Sequence, residues 1–175
     1  MIDLTNKKLL PENFADESRA WIYQSNREFT TLETVQIEKM VQQFVTNWKS
    51  HGDTVKGFGA IFFNRFVILL ADETAFGVSG CSTDGSVRVI KEIEQVFGVN
   101  MFDRQQLAFI VNENIQTVTL SQLNEAIAKE LIDENTIYFD NTILTKKGLM
   151  EKWAIPVKNS WVSKRMIIGT LLDTP

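Results

Sequence analysis

The chain has 175 residues, a net charge of −4 and 44% hydrophobic residues, values typical of a soluble globular protein and not of a disordered one. It contains no run of about 18 apolar residues, which excludes a membrane-spanning helix, and its first residues do not form a secretory signal. A single cysteine cannot form an internal disulfide, so the sequence predicts a cytoplasmic protein without a membrane partner. The length predicts one domain over residues 1–175, with residues 1–13 and 166–175 as ends that are flexible or docked on a partner.

The first part of the chain predicts a strand followed by an amphipathic helix. Residues 20–25, AWIYQS, follow the alternating, aromatic-rich pattern of a short strand. Thr30 or Thr31 then caps a helix that Gly52 ends. This helix has one apolar face, because its apolar residues recur at steps of three and four: Ile37, Met40, Val41, Phe44, Val45 and Trp48.

A β-hairpin and a second helix are predicted next. Two apolar runs, VKGFGAIFF and FVILLADE, are separated by only two polar residues, and this closeness indicates the hairpin. Gly57 and Gly59 are two residues apart and therefore share one face of a strand, where a helix or a ligand can approach closely. The second helix is predicted over residues 84–97, and Gly98 is the residue that ends it.

The second half of the chain predicts another hairpin, a third helix and a short strand. The segments QLAFIV and IQTVTL flank a turn at residues 112–114. Ser121 begins a helix in SQLNEAIAKELIDEN, with Leu123, Ile127 and Leu131 as its apolar spine. TIYF has the pattern of a strand, and TKKGLMEKW has that of one or two helical turns.

The order of these elements predicts an α+β protein. It is β-α-β-β-α-β followed by a further β-α-β, and hairpins at both β-β junctions imply a mostly antiparallel sheet. Helices on one face of that sheet make a two-layer sandwich. The first six elements have the order of a ferredoxin-like core, and the remainder is a C-terminal β-α-β extension.

The sequence lacks the motifs of several common activities. No G-x-x-x-x-G-K-[ST] phosphate loop is present, which excludes ATP hydrolysis of the phosphate-loop kind. One cysteine and one histidine cannot form the usual zinc sites, so we predict neither a metal nor a cofactor. Because no complete catalytic constellation is visible, the sequence favours a domain that binds a small ligand or a protein partner over an enzyme.

The candidate ligand or anion site is the segment VSGCSTDGSVRVI, which contains the only cysteine. Cys81 is predicted one to three residues before the second helix, where unpaired backbone N–H groups and the positive helix end favour a thiolate or a bound anion. The other residues predicted for this site are His51, Ser79, Gly80, Ser82, Asp84, Ser86 and Arg88.

Two interpretations of Cys81 stay open at this point. In the first, Cys81 is the nucleophile of an enzyme and His51 is its base. In the second, Ser82 or Asp84 caps the helix and Cys81 is a small buried residue. The phosphatase signature C-x-x-x-x-x-R is excluded, because six residues and not five separate Cys81 from Arg88.

The C-terminal segment is basic and aromatic. From Thr145 onward the chain carries six basic and two acidic residues, a charge of +4 that leaves −8 on the rest. Trp153 and Trp161 lie among these charges and could stack on RNA bases or contact an acidic partner. The alternative is that both rings pack on the protein's own core, and the acidic net charge disfavours nucleic acid as a partner. The apolar tail after Arg165 is predicted to pack on the same chain or on a second copy in a homodimer.

Several motifs together resemble a family of small, uncharacterised bacterial proteins that are often labelled ABC transporter ATPase. The motifs are ESRAWIYQSNREFT, VTNWKSHG, NRFVILLADE, SGCSTDGSVRVI and WAIPVKNSW, and the similarity covers about residues 14–161. No activity is known for this family, so the resemblance implies no catalytic role, and the missing phosphate loop contradicts the ATPase label. Gly85 stands where the family pattern has Ala. The matching residues are Trp21, Tyr23, Gln24, Trp48, His51, Gly52, Gly80, Cys81, Ser82, Asp84, Ser86, Pro156 and Trp161.

Overall fold

The computed structural model describes residues 10–50, 52–72 and 80–166, and for residues 80–83 it describes the backbone alone. Helices and antiparallel sheets are both present, which confirms the predicted α+β class. The chain divides into two compact units. Among the described residues, the larger unit comprises those up to Asp103 together with Asn141–Met150, and the smaller unit comprises Arg104–Asp140 and those from Glu151 onward. The single domain expected over residues 1–175 stays a prediction.

Nine strands and four helices make up the described chain. In chain order they are β1 Arg19–Gln24, α1 Thr31–Thr46, β2 Lys49–Ser50, β3 Asp53–Thr54, β4 Lys56–Phe62, β5 Phe66–Asp72, α2 Gly80–Phe97, β6 Gln106–Val111, β7 Asn114–Thr119, α3 Leu123–Ala128, β8 Ile137–Phe139, α4 Lys146–Lys152 and β9 Ala154–Pro156, followed by a 3-10 turn at Val157–Asn159. None of the helices in the described ranges is both long enough and apolar enough to cross a membrane.

The larger unit contains a three-stranded antiparallel sheet in the order β1-β5-β4. Strand β5 is central and buried along its whole length, which explains its uninterrupted apolar run. Helix α1 connects β1 to β4 with β5 between them, as in the first half of a ferredoxin-like core. The predicted fourth strand, β6, pairs instead with β7 and β8 in the smaller unit, so the ferredoxin-like sheet is not completed.

The outer edge of β1 is covered by a different part of the chain. The N–H group of Ala20 donates to the carbonyl oxygen of Leu144 at 2.9 Å, and Arg19 forms an isolated bridge with Thr145. This segment therefore occupies the edge where β6 was predicted. Strand β6 pairs through one edge with β7, across a two-residue turn in which Asn112 and Glu113 both have positive φ, and through its other edge with β8, so neither edge of β6 is left for β1.

Helix α1 packs on the sheet where Gly57 and Gly59 leave its surface without side chains. A Cβ atom on Gly59 would overlap Val41 and lie 3.2 Å from Val45, both on α1, and one on Gly57 would lie 3.4 Å from Val45 and 2.8 Å from the ring of Trp48, which follows the helix. The close approach predicted for these two glycines is therefore confirmed, and the element that makes it is a helix.

The start of α1 is as predicted, but its end is not. The Thr30 hydroxyl accepts the Glu33 N–H and the Glu33 carboxylate accepts the Thr30 N–H, which makes a capping box. The helix ends at Thr46, where the N–H of Asn47 bonds back to carbonyl groups of the last turn. Gly52 therefore does not end α1; with φ +95° it lies between β2 and β3.

The smaller unit contains a four-stranded antiparallel sheet in the order β7-β6-β8-β9. Helix α3 is shorter than the sequence predicted. The N–H of Leu131 bonds to the carbonyl of Ala126 at 3.0 Å, and the N–H of Glu130 bonds to that of Ile127 at 2.9 Å. With Glu130 at φ +57°, these two bonds form the Schellman motif that stops a helix. Leu131 is consequently exposed and is not part of the helix spine.

Candidate functional site

Helix α2 begins at Gly80, four residues before the predicted start. Gly80, Cys81 and Ser82 lie in its first turn, so the prediction that they form a turn preceding the helix is wrong. The helix extends through this Gly- and Ser-containing stretch because each such residue costs less than about 1 kcal/mol of helix propensity, a small amount for a packed helix. Ser82 and Asp84 both follow the first residue of the helix, so neither is the residue that precedes it, as a cap does.

Parts of the predicted site lie outside the described structure. His51 and Ser79 are outside the described residues, and the side chains of residues 80–83 are not described. The pairing of Cys81 with His51, and the alternative of a buried Cys81, both stay predictions.

The remaining predicted residues do not form one cluster. Asp84 and Arg88 are exposed, whereas Ser86 is fully buried and its hydroxyl lies 3.2 Å from the hydroxyl of Tyr23 on β1. Ser86 and Arg88 are two residues apart, which places them on nearly opposite sides of a helix. Ser86 therefore joins α2 to the core, and Arg88 is the predicted residue that reaches a concave surface.

That surface is a groove of about 310 Å³ between α1 and α2, which we call the α1–α2 groove. Each helix contributes four residues at the spacing i, i+3, i+4, i+7, the positions that share one helix face. They are Met40, Gln43, Phe44 and the C-terminal cap residue Asn47 from α1, and Gly85, Arg88, Val89 and Glu92 from α2. The groove therefore combines an apolar floor with a polar rim.

The rim carries two opposite charges that are not engaged with each other. Arg88 and Glu92 are one helical turn apart and exposed, and neither side chain has a hydrogen bond or an ion pair within the described ranges. The amide nitrogen of Asn47 is already used, since it donates to the carbonyl oxygen of Gln43 at 2.9 Å. Arg88 and Glu92 are consequently the charged groups of the groove that a ligand can recruit.

Gly85 deepens one end of the groove. A Cβ atom at this position would lie 3.5 Å from the Phe44 ring and 3.9 Å from the indole nitrogen of Trp48. The sequence prediction included Arg88 but not Gly85 among the site residues, and it did not find the groove, although a signal for the groove was present. Once the core face of each helix is assigned, the adjacent face with residues at i, i+3, i+4 and i+7 can be found by the same periodicity.

The structure offers no metal site among the residues it describes. No group of three or more histidine, cysteine, aspartate or glutamate side chains is placed to hold an ion in these ranges. One close charged pair among the described residues is Lys56 and the buried Asp72, opposite each other on β4 and β5 with 2.6 Å between nitrogen and oxygen. This contact links two strands and does not form a cleft.

The basic C-terminal segment is partly used by the fold. The Lys146 ammonium is buried and donates to the carbonyl oxygen of Phe14 at 2.7 Å. In the smaller unit, the Trp153 ring is buried against Phe139 with 5.2 Å between ring centres, so it is not available for stacking on a base. Packing on the protein's own core, one of the two alternatives for the tryptophans, is therefore found for Trp153.

Trp161 is the more accessible of the two rings. Its indole N–H donates to the Tyr138 hydroxyl at 3.1 Å, and the two rings meet edge to face. Tyr138 is itself buried, and this burial raises the pKa of its hydroxyl to about 12. The contact fixes Trp161 against the smaller unit's sheet.

Fold and groove together define an α+β protein with a helix–helix groove as its candidate binding site. No family model matches the chain, and neither a curated protein nor a solved structure matches it. The resemblance to the uncharacterised bacterial family stays a prediction.

Proposed function

We propose that this protein is a non-catalytic binding domain whose α1–α2 groove holds a small ligand or a segment of a partner protein. The observation that carries the proposal is the groove itself, with an apolar floor flanked by the unengaged charges of Arg88 and Glu92. Ligand sites commonly combine these two features, since apolar contact supplies affinity and a few polar groups fix orientation.

The dimensions of the groove agree with a modest ligand. Its volume of about 310 Å³ is at the lower end of the range of about 300–1,000 Å³ that is typical of small-molecule sites. Met40, Phe44 and Val89 supply the apolar surface, and the charges at the rim are exposed to solvent, where an ion pair contributes at most about 1 kcal/mol. We therefore expect affinity to come mainly from the floor and selectivity from the rim.

Amide-resolved NMR of the full chain tests the proposal. A library of small polar and amphipathic compounds is added, and we expect shifts concentrated at Phe44, Gly85 and Val89. For the compounds that bind, Arg88→Ala should weaken affinity several-fold, whereas Lys91→Ala should leave it unchanged, because Lys91 is an exposed cation of the same helix that does not line the groove. The proposal is contradicted if Arg88→Ala leaves the affinity unchanged and the shifted amide signals belong to residues outside the groove.

We also propose a bacterial cytoplasmic location, which the single cysteine and the family resemblance support. The enzyme with a Cys81 nucleophile and a His51 base, and the RNA-binding module of residues 146–165, stay predictions. A native Cys81 that is alkylated far faster than in the denatured chain would favour the enzyme.

A further inference from the structure

The apolar face of the groove continues beyond the residues that line it. Val96 lies four residues after Glu92 and seven after Val89, so it belongs to the same face of α2. Its side chain is 61% exposed. From Gly85 to Val96 the face extends about 16 Å along the helix, which is about three turns.

Helix α1 runs antiparallel beside this face. The Arg27 guanidinium donates to the Glu33 carboxylate at 2.7 Å in the first turn of α1 and to the carbonyl oxygen of Phe97 at 2.8 Å, the last residue of α2. At the opposite end, Gly85 near the start of α2 lies close to Phe44 in the last part of α1. The start of α1 and the end of α2 are therefore neighbours.

A second exposed aliphatic residue lies at this same end. Leu32, in the first turn of α1, is 78% exposed and lies about two turns before Met40. Leu32 and Val96 are therefore two exposed apolar side chains at the same end of the helix pair. A small ligand held at the groove would leave both side chains in water, whereas an elongated partner would cover them.

We propose that the α1–α2 groove, extended by Leu32 and Val96, binds an amphipathic helix of a partner protein; this inference rests on the proposed binding function and specifies the ligand. A helix of about three turns matches the 16 Å length of the face and presents its own apolar residues at i, i+3, i+4 and i+7. Two helices with such faces form a trough into which the ridge of a third can pack.

The charges of the rim select the chemistry of that helix. Arg88 and Glu92 are one turn apart and opposite in sign, so the complementary helix carries an acidic and a basic residue at the same one-turn spacing. The acidic residue faces Arg88 and the basic residue faces Glu92. A rim of mixed charge does not match the uniformly negative surface of a nucleic acid or of an anionic membrane.

The test is a selection of displayed peptides against the full chain. The library contains 16-residue sequences with apolar residues at i, i+3, i+4 and i+7 and variable charges beside them, and binding of the enriched peptides is measured by fluorescence polarisation. We expect Val96→Asp and Arg88→Glu each to weaken binding at least tenfold. The matched controls, Val35→Asp for an exposed valine of α1 and Lys91→Glu for an exposed cation of α2, should change it less than twofold.

A charge exchange gives the sharpest readout. Replacing the peptide acid that faces Arg88 with lysine should weaken binding to the native chain and restore it to the Arg88→Glu variant. Circular dichroism of each variant verifies that the fold is retained. A selection that enriches no peptide, or peptides that bind all four variants equally, overturns the inference.

Other occupants give different results. If small compounds shift the groove signals while no helical peptide binds, the helix partner is wrong and the binding function stands; if neither binds, both proposals fail. If the chain self-associates in sedimentation experiments and Val96→Asp dissociates it, the occupant is a second copy and the inference is likewise overturned.

Discussion

Replacing Gly85 with Ala should stabilise the protein, although the residue lies beside the candidate site. Gly85 is inside α2, where glycine is less favourable than alanine by about 0.5–1 kcal/mol because it loses more backbone freedom on folding. The added methyl group would meet the Phe44 ring at 3.5 Å, which is ordinary van der Waals contact. We therefore expect Gly85→Ala to raise the free energy of unfolding by about 1 kcal/mol. For a chain of this size that corresponds to a rise in Tm of about 2–4 °C.

The same substitution at two other glycines should have the opposite sign. A methyl group at Gly59 would overlap Val41 and lie 2.9 Å from Leu69, so overpacking should cost about 1–3 kcal/mol. At Gly98 no atom lies within 4 Å of the added Cβ, but φ is +62°. An alanine in this left-handed conformation costs about 1–2 kcal/mol. The three variants thus separate helix propensity, available space and backbone strain.

Urea unfolding and differential scanning calorimetry of the three alanine variants and the native chain give the required values. A change in the midpoint with an unchanged m-value identifies an effect on stability and not on the denatured state. If Gly85→Ala lowers the midpoint, or if Gly59→Ala is neutral, the space assigned to these positions is wrong.

Two further predictions concern pH. Hydrogen bonds from Arg27 and Thr30 lower the pKa of Glu33 from 4.5 to about 2, so the stability contributed by this carboxylate should be complete above pH 4.5 and lost as the pH falls towards 2. The difference in Tm between the native chain and Glu33→Gln should shrink over that interval, and a constant difference would contradict this assignment. Burial raises the pKa of Tyr138 from 10 to about 12, so stability should be lost as the pH rises from 10 to 12, as followed by thermal melts and tyrosinate absorbance. Tyr138→Phe should be less sensitive to pH in this range, and ionisation of native Tyr138 near pH 10 would show that the ring is not buried.

The elements of the fold could be predicted because their signals are local. The stripe of α1, the capping residue Thr30 and the turn at Asn112 each depend on a few neighbouring residues, and the structure contains all three. The destination of β6 could not be predicted, since an antiparallel edge accepts any strand with a suitable face. Its hairpin partner β7 was predicted, but its second partner β8 and the segment at Leu144 that lies beside β1 depend on contacts that are distant in sequence.

The candidate site was predicted less well for a physical reason. Sequence reasoning selected the region around Cys81 for its chemical groups and assumed that the helix starts after it. Helix propensities of Gly and Ser are only slightly unfavourable, so the helix continues back to Gly80 and removes the predicted turn. The α1–α2 groove, in contrast, forms between two helices that are far apart in the sequence. No local motif encodes it, although Gly85 and Arg88 are residues of both the predicted region and the groove.

Gly85 connects the stability of the fold to the proposed binding. Alanine would improve α2, yet its methyl group would occupy the end of the groove beside Phe44, where an apolar ligand group would otherwise pack. Space for a ligand at this position therefore costs about 1 kcal/mol of helix stability, the kind of local cost found at functional sites. If the Gly85→Ala protein is more stable and binds groove ligands as tightly as the native chain does, then Gly85 neither deepens the groove nor contributes to binding.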